Sequence, residues 1–441
     1  MKSGINLKIT HVPITALKPY ERNARTHSDR QIQQIANSIK KFGFLNPVMI
    51  DGNHRILAGH GRVEAAKRLQ LKTVPVVQST HLSEDEMRAY ILADNRIAQN
   101  AGWDRKILAI ELQHLSVIET DIDVAITGFM TPEIDVIIDD SCAAAVDSED
   151  DEIPPADESQ PAVTKLGDIW HLGKHRLICG DSLDARTYQA LMHDSKAHMV
   201  FTDPPYNVPV DGHVCGSGKI KHREFAMASG EMSKEQFTGF LSKAFEHLVS
   251  FSTNGSLHFI CMDWRHIGEM VASADGAYTE LKNLCVWAKD NGGMGSLYRS
   301  QHELVFVFKN GTERHLNNVE LGKHGRYRTN LWSYPGVNTM RKGRLEDLEM
   351  HPTVKPVAMV ADAIKDCTKR GELILDVFAG SGTTVIAAEK TQRIARAIEL
   401  DPLYCDVILK RWRNFTGEEP VHFQSGKTFS ENSNFKETNH E

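Results

Sequence analysis

The residues best suited to chemistry are Asp203-Pro204-Pro205-Tyr206, which follow the apolar stretch AHMVFT. Two consecutive prolines fix the backbone and remove two N–H donors, so the turn is stiff and can aim its carbonyl groups at a ligand. An acid, an aimed carbonyl and an aromatic ring can accept hydrogen bonds from an exocyclic amine and stack on the base that carries it. Accepting those protons keeps the amine nitrogen nucleophilic. A surface turn with a packed tyrosine is the alternative interpretation.

A second chemical run is DVFAGSGTT, residues 376–384, which follows the apolar segment ELIL. Its glycines let a ligand approach the backbone, and the start of the following helix favours a carboxylate or phosphate. Glu399 ends the next strand-like segment, 17 residues after Gly382, near the offset at which an acid binds ribose hydroxyls. Because the spacing is not G-x-G-x-x-G, an adenosyl ligand is favoured over a dinucleotide.

Strands and helices must hold these runs in place. Each run follows a short apolar segment, and the second precedes a helix, which is typical of an α/β domain with a parallel sheet. Such a sheet binds ligands at the carboxyl ends of its strands. The sequence predicts five parts: a domain over 1–100, a helical extension over 101–140, an acidic flexible linker over 141–163, the α/β domain over 164–417, and a disordered tail over 418–441.

The charge of the chain is unevenly distributed. The 441 residues carry 51 Lys and Arg against 58 Asp and Glu, a net charge of -7. Nine acids and no base lie between Asp139 and Glu158, and the tail from Glu418 contributes -3, so the remainder carries +5. The linker lacks the large apolar side chains that would offset the entropy of ordering. The overall acidity therefore does not exclude a nucleic-acid partner.

Several classes of protein are disfavoured by the sequence. No apolar run approaches the roughly 18 residues of a membrane helix, and the first residues lack a signal core. The seven cysteines include no C-x-x-C pair, which favours reduced thiols without a structural metal site. We expect a cytoplasmic protein with neither a membrane nor a metal partner.

A glycine-rich turn in the first domain, Gly59-His60-Gly61-Arg62, leads into a helix. Free backbone N–H groups, a positive helix end and an arginine are suited to binding a phosphate or nucleotide. The alternative is that the glycines only shape a tight turn.

The second half resembles the amino-methylating DNA methyltransferases in their circularly permuted, β-class order. The resemblance rests on DPPY followed by FAGSGTT, with HRLICGDSLD, HPTVKP and ELDPLYCDVILKRW between and around them. It implies a Rossmann-like domain that binds S-adenosylmethionine. The family's catalytic motif matches Asp203, Pro204, Pro205 and Tyr206. Its cofactor residues match Asp376, Phe378, Gly380, Ser381, Gly382, Thr383 and Glu399. HPTVKP lies where the family's methionine-binding motif lies, so Thr353 and Lys355 are further cofactor neighbours, and Asp181 is a candidate for the adenine end. Asp181 has a helix N-cap as its alternative role.

The first hundred residues resemble the ParB/sulfiredoxin-like domain, through VPITALKPY, NPVMI, AGHGRVEAAKRL and VPVV. Relatives of this fold bind nucleoside triphosphates or have been proposed to act as nucleases. The turn GHGR departs from their GERR, which leaves a phosphate or nucleotide site at Gly59, His60, Gly61 and Arg62 as the expectation.

The resemblance implies methylation of double-stranded DNA by base flipping and direct attack of the amine. Aspartate at position 203 favours adenine, and cytosine is the runner-up. A basic segment, residues 309–344, carries eight Lys or Arg against two acids, which is typical of a phosphate-contacting surface; a solvated loop is the alternative. The DNA-binding candidates are Lys323, Arg326, Arg328, Arg341, Lys342 and Arg344. An RNA methyltransferase and a ParB-like nucleotide- or DNA-binding adaptor are further alternatives, and the class makes a homodimer an expectation.

Overall fold

The computed structural model describes residues 7–117, 124–142, 150–156, 161–208, 230–290, 292, 297–323, 325–335 and 354–437. The chain forms two compact units, which divide between Ser141 and Cys142. Each unit has its own sheet and core, so the α/β fold class predicted from the sequence is confirmed. Among the described residues no helix is long and apolar enough to cross a membrane. In the same residues no cluster of His, Cys, Asp and Glu is arranged to hold a metal ion.

The first unit is built around a four-stranded sheet. Its elements are β1 (Ile9–Pro13), α1 (Asp29–Phe42), β2 (Val48–Ile50), β3 (Ile56–Ala58), α2 (His60–Arg68), β4 (Thr73–Gln78), α3 (Glu84–Asn100), α4 (Arg105–Val117) and α5 (Thr131–Cys142). The strands lie in the order β1-β4-β2-β3, with β2 parallel to β4 and the other pairs antiparallel. Ser28 caps the start of α1 through Gln31 N, and Gly43 ends the helix with φ 83°.

The second unit is larger and is built around a ten-stranded sheet. Its strands are β5 (Ile169–Leu172), β6 (His175–Cys179), β7 (Ala197–Thr202), β8 (Ser252–Met262), β9 (Glu280–Ala288), β10 (His302–Lys309), β11 (Leu331–Ser333), β12 (Leu373–Asp376), β13 (Ile394–Glu399) and β14 (Val421–His422). Its helices are α6 (Ala185–Met192), α7 (Lys234–Ser250), α8 (Ile267–Ala274), α9 (Val357–Cys367), α10 (Thr383–Lys390), α11 (Pro402–Thr416) and α12 (Phe429–Glu437).

The strands of the large sheet lie in the order β11-β9-β10-β8-β7-β12-β13-β6-β5-β14. The five from β8 to β6 are mutually parallel, while β10 runs antiparallel to β8. Neighbouring side chains of β12 enter opposite cores: Ile374 packs with α9, α10 and α11, whereas Leu373 and Leu375 pack with α6, α7 and α8. The apolar segments seen in the sequence are continuous because helices cover both faces of the sheet.

The acidic linker differs from its expectation in the part that the structure describes. Asp150 and Asp151, which belong to the second unit, contact its α/β domain through hydrogen bonds that involve Arg411 and Val357 N. Further along, Val163 N and Thr164 N donate to the Asp406 carboxylate (2.6 and 3.0 Å). Val163 also packs against the apolar core. The prediction of flexibility was based on the scarcity of large apolar side chains, and it did not take these polar contacts into account.

The tail also differs from its expectation as far as residue 437. It contains β14, which pairs with β5, and α12. Phe429 is 2% exposed, and its ring lies 5.7 Å from that of Trp170. The segment is thus held both by the pairing of β14 with β5 and by a buried aromatic side chain. The prediction of disorder from polar composition was therefore wrong for this segment.

Candidate active site

Neighbouring strands bring together the two motifs predicted to carry the chemistry, residues 203–206 and 376–384. β7 and β12 are parallel, with Ile374 beside Met199, so both strands end at one edge of the sheet. At that edge the Thr202 hydroxyl donates to Asp376 Oδ1 (2.8 Å). The runs that begin at Asp203 and Asp376 are thus placed side by side, at the edge where parallel sheets bind ligands.

A cavity opens at this edge, and both runs line it. Its lining includes Gly180, Ser182, Asp203, Pro204, Pro205, Tyr206, Lys355, Asp376, Phe378, Gly380, Ser381, Thr383 and Glu399. Gly382 supports the loop from behind, because it has φ 83° and a Cβ there would lie 3.0 Å from the Ile408 side chain. Glycine is the residue that meets both conditions without strain. The catalytic and cofactor candidates therefore share one cavity.

Asp203 lies within a compact group of polar side chains. The Tyr206 hydroxyl donates to Asp203 Oδ1 (2.7 Å), and Lys355 Nζ contacts Asp203 Oδ2 (2.5 Å). The Lys355 side chain is 4% exposed, and that of Asp203 is 23% exposed. The carboxylate therefore reaches the cavity while its counter-ion is buried. Lys355, a candidate cofactor neighbour in the sequence, lines the cavity and contacts the acid of the catalytic motif.

Two further charged residues complete the group, and the sequence analysis missed both. Glu303 Oε2 lies 3.1 Å from Lys355 Nζ and 3.3 Å from the Tyr206 hydroxyl, and its other oxygen pairs with Lys289. Glu303 is on β10 and Lys289 follows β9, so an antiparallel pairing of strands brings them together. The signal available in the sequence was an acid at the start of the otherwise apolar run HELVFVF.

These neighbours set the charges of the group. Burial raises the pKa of Asp203, and Lys355 acts against that rise. Burial also favours a neutral Glu303, but Lys355 and Lys289 lower the pKa of that carboxyl to about 2. For Lys355 burial lowers the pKa, and the carboxylates of Asp203 and Glu303 more than offset it, so its pKa is raised. Lys355 therefore favours the ionised form of both carboxyls, and for Asp203 it is the one cation that does so among the described residues.

Two further acids of the cavity, Glu399 and Asp376, have no basic partner among the described residues. Glu399 accepts from Gly380 N (2.8 Å) and Asp401 N (2.9 Å), and burial raises its pKa to about 7. Burial likewise raises the pKa of Asp376 to about 6. Each carboxylate oxygen of Glu399 accepts one of these bonds and keeps a lone pair for a ligand hydroxyl.

Asp181 lies between two residues of the lining, Gly180 and Ser182. Its Oδ1 accepts from Leu183 N (2.8 Å), whereas the N-cap of α6 is Asp184. The helix-cap alternative for Asp181 was therefore wrong. Its role at the adenine end of a cofactor stays a prediction.

Two of the candidate DNA-binding arginines are engaged in the interior. Arg326 and Arg328 form ion pairs with Asp362 and Asp366 on α9, and the two guanidinium-bearing side chains are 7% and 17% exposed. Arg326 Nη2 lies 2.7 Å from Asp366 Oδ1. The prediction that these two arginines contact DNA is corrected by these contacts, because α9 already neutralises them.

Of the other four DNA-binding candidates, one is exposed and three lie outside the described residues. The Lys323 side chain is 63% exposed and pairs with Glu320 at the surface, so it stays a DNA-binding candidate. Arg341, Lys342 and Arg344 lie outside the described residues, as does Thr353.

In the glycine-rich turn of the first unit, the side chains of His60 and Arg62 form hydrogen bonds with the backbone of the same unit. Gly59 has φ 100° and precedes α2. Arg62 Nη1 donates to the carbonyls of Asn46 (2.7 Å) and Pro47 (2.9 Å), and His60 Nε2 accepts from Tyr20 N (3.2 Å). A Cβ on Gly61 would lie 3.1 Å from the His27 ring. The turn-shaping alternative accounts for these contacts, and a phosphate site here stays a prediction.

Comparison with protein families matches three segments of the chain. Residues 197–410 match the DNA methylase model of the N6_N4 type, residues 2–96 the ParB N-terminal domain, and residues 106–166 the ParB-methyltransferase HTH domain. The last segment includes α4 and α5 of the first unit, for which the sequence predicted a helical extension without a family.

Curated proteins match the two halves separately. The ParB-like nuclease domain-containing protein YnaK of Escherichia coli is 49% identical over 80 residues, which are 18% of this chain and 92% of that protein. The type II methyltransferase M2.DpnII of Streptococcus pneumoniae is 27% identical over 55% of this chain and 91% of its own length. M2.MboI of Moraxella bovis is 24% identical over 52% and 85%. The solved M1.HpyAVI–SAM complex aligns at 18% identity over 53% of this chain and 97% of its own, with a TM-score of 0.40.

The chain therefore belongs to the proteins with a ParB N-terminal domain, and its second unit is a DNA methyltransferase of the N6_N4 family. The methyl donor of this family is S-adenosylmethionine, and the donor set of the cavity fits it. Glu399 and Asp376 offer carboxylates for hydroxyl and amino groups, Phe378 offers an aromatic face, and the 380–383 loop lets a ligand approach the backbone.

Proposed function

We propose that the chain is an adenine-specific DNA methyltransferase of the permuted, β-class type. It transfers a methyl group from S-adenosylmethionine to the exocyclic amine of a flipped adenine in double-stranded DNA, in the cytoplasm. The observation that carries the proposal is the meeting of Asp203–Tyr206 with the 376–383 run on one cavity. Support for the class comes from the order of the motifs, DPPY before FAGSGTT.

The residues of the first run hold the target base in this proposal. The Asp203 carboxylate and the Pro204 carbonyl accept the two N–H bonds of the amine, and the Tyr206 ring stacks on the base. As the new N–C bond forms and the S–C bond breaks, positive charge develops on the nitrogen, and the adjacent carboxylate stabilises it. The surplus proton leaves through Asp203 Oδ1 or Oδ2. The reaction needs no covalent enzyme intermediate.

The second run and its partners hold the cofactor. S-adenosylmethionine supplies an activated methyl group when it is bound. Glu399 accepts hydrogen bonds from the ribose hydroxyls, the 380–383 loop faces the methionine portion, and Asp181 lies toward the adenine end. Lys355, on the side of the methionine portion, is shared between the cofactor and Asp203. Thr353 belongs to the same motif and is a further candidate neighbour of the cofactor.

Cytosine is the alternative target. The carboxylate of Asp203 favours adenine, since cytosine-amine methylases more often carry serine at this position. A relative also supports adenine as the target: the DNA adenine methyltransferase YhdJ of Escherichia coli is 27% identical over 34% of this chain.

The first unit carries a second candidate function. The likeness to YnaK covers nearly all of that protein, which supports a module that works independently as a nucleotide- or DNA-binding adaptor. Homodimerisation also stays a prediction. Both are separable from methyl transfer, because substitution of Asp203 would leave them unchanged.

Transfer of a tritiated methyl group tests the proposed function. We expect labelling of double-stranded DNA by the wild-type chain, and a loss of about 10²- to 10³-fold in rate for Asp203→Asn, the range for removal of one transition-state hydrogen bond. Asp203→Asn should still bind S-adenosylmethionine, which separates a catalytic defect from misfolding. The control is Asp275→Asn, an exposed acid at the end of α8. Equal labelling by both variants, or preferential labelling of RNA, would contradict the proposal.

A further inference from the structure

A buried arginine connects the cofactor loop to the acidic linker. Arg411, on α11, is 3% exposed. Its Nη1 donates to the Ser381 carbonyl (3.1 Å), the Ser381 hydroxyl (3.3 Å) and the Thr383 hydroxyl (3.2 Å). Its Nη2 donates to the carbonyl of Asp150 (2.9 Å). One guanidinium group thus fixes both the loop that lines the cavity and a residue of the linker.

The linker also supplies the negative charge near this guanidinium. A buried cation is costly unless anionic groups lie close to it. Burial lowers the pKa of Arg411 to about 10, and the carboxylates of Asp151 and Asp150 act against that effect. Since both acids belong to the linker, the electrostatic balance behind the cofactor loop depends on the linker being in place.

Asp150 and Asp151 contact two more elements of the site. Asp151 Oδ1 accepts from Val357 N (2.8 Å) at the start of α9, where the N-cap residue Pro356 has no side-chain acceptor. Helix α9 begins two residues after Lys355, which contacts the catalytic Asp203. The Asp150 side chain is 12% exposed and pairs with Lys390 at the end of α10, the helix that begins in the cofactor loop.

We propose that Asp150 and Asp151 are positioning residues for the cofactor, so that docking of the linker and binding of S-adenosylmethionine strengthen each other. The inference rests on the cofactor site proposed above. The docked linker restrains Ser381 and Thr383 through Arg411, and it restrains the start of α9 directly. Both restraints reduce the ordering that the cofactor must impose. Because linkage is reciprocal, bound cofactor favours the docked linker to the same extent.

Calorimetric titration of the full-length chain with S-adenosylmethionine tests the proposal. For the double variant Asp150→Ala/Asp151→Ala we expect Kd and KM for the cofactor to rise about five- to tenfold, the effect of losing a helix cap and a partly buried ion pair. The kcat at saturating cofactor should change by less than about twofold. Glu152→Ala is the matched control, because it removes an exposed acid from the same segment. Asp151→Asn in place of Asp151→Ala in the double variant keeps an acceptor for Val357 N, and it should recover part of the affinity for S-adenosylmethionine.

Hydrogen exchange provides the reciprocal measurement. Saturating cofactor should slow amide exchange across 150–156 in the wild type and in Glu152→Ala, and should do so much less in the double variant. The proposal is overturned if the double variant binds the cofactor as tightly as Glu152→Ala, or if kcat or melting temperature falls while Kd stays unchanged. A wild-type chain that fails to bind S-adenosylmethionine would overturn the cofactor site itself, and the coupling with it.

Discussion

Asp203 is the side chain whose charge decides what the active site can do. As a carboxylate it accepts a hydrogen bond from an amine, and as a neutral acid it can donate a proton and repel the amine hydrogen. Burial favours the neutral form, and Lys355 at 2.5 Å favours the charged form. Lys355 is in turn kept in place by Glu303, which Lys289 neutralises on its other side.

Replacement of Lys355 by methionine should shift the pH dependence of methyl transfer. Without the ammonium group the pKa of Asp203 rises further, so a larger fraction of the enzyme is protonated and inactive at neutral pH. The acid limb of the kcat profile should move upward by about one unit or more, and activity should recover as the pH is raised. Lys355→Arg, which keeps the charge, should leave that limb close to its wild-type position. A uniform loss at every pH would contradict this role for Lys355.

The sequence predicted the residues of the cavity better than their electrostatic partners. Asp203–Tyr206 and 376–383 were found because each lies in a local strand–turn pattern. Glu303 and Lys289 were missed because their proximity depends on the pairing of β9 with β10. A local sequence pattern predicts where a strand ends, but it does not predict which strand lies beside it.

Helix α9 explains why the number of basic residues in 309–344 did not by itself identify a DNA-contacting surface. Asp362 and Asp366 are four positions apart, so they lie on one face of the helix and bind Arg326 and Arg328 together. The charge of the segment is therefore partly neutralised inside the protein. The signal in the sequence was a pair of acids at helical spacing on a helix whose other residues, apart from Lys365, are apolar.

Arg326→Ala should consequently destabilise the protein. Its removal leaves Asp366 without one of its two buried partners, and breaking such a pair costs about 3–5 kcal/mol of unfolding free energy. Urea denaturation measures this loss. Lys323→Ala removes an exposed charge from the same segment and should change stability by less than about 0.5 kcal/mol. If Arg326→Ala weakened DNA binding while stability stayed unchanged, a role at the DNA interface would be restored.

Helix α12 offers a parallel test of the ordered tail. Phe429 packs against Trp170 and is 2% exposed, whereas Phe423 is 50% exposed. Phe429→Ala should lower the free energy of unfolding by about 3–5 kcal/mol. Phe423→Ala should cost less than about 1 kcal/mol. Equal stabilities of the two variants would contradict the docking of this segment.

The whole chain combines a ParB N-terminal domain with a DNA methylase of the N6_N4 family. Its negative charge is concentrated outside these two domains. The net charge of -7 arises from the linker and the tail, while the remainder is positive. The fold class and the two halves were predictable because their motifs are local. The roles of the linker and tail were not, since both are held by contacts with residues distant in the sequence, such as Arg411 and Trp170.

Identification of the methylated nucleoside tests the central claim most directly. Double-stranded DNA is incubated with S-adenosylmethionine and the full-length chain, digested to nucleosides and analysed by mass spectrometry, with Asp203→Asn in parallel. We predict N6-methyladenine with the wild type and a loss of about 10²- to 10³-fold with Asp203→Asn. N4-methylcytosine in its place, or N6-methyladenine at equal levels with both proteins, would contradict the assignment of Asp203 as the acceptor for the adenine amine.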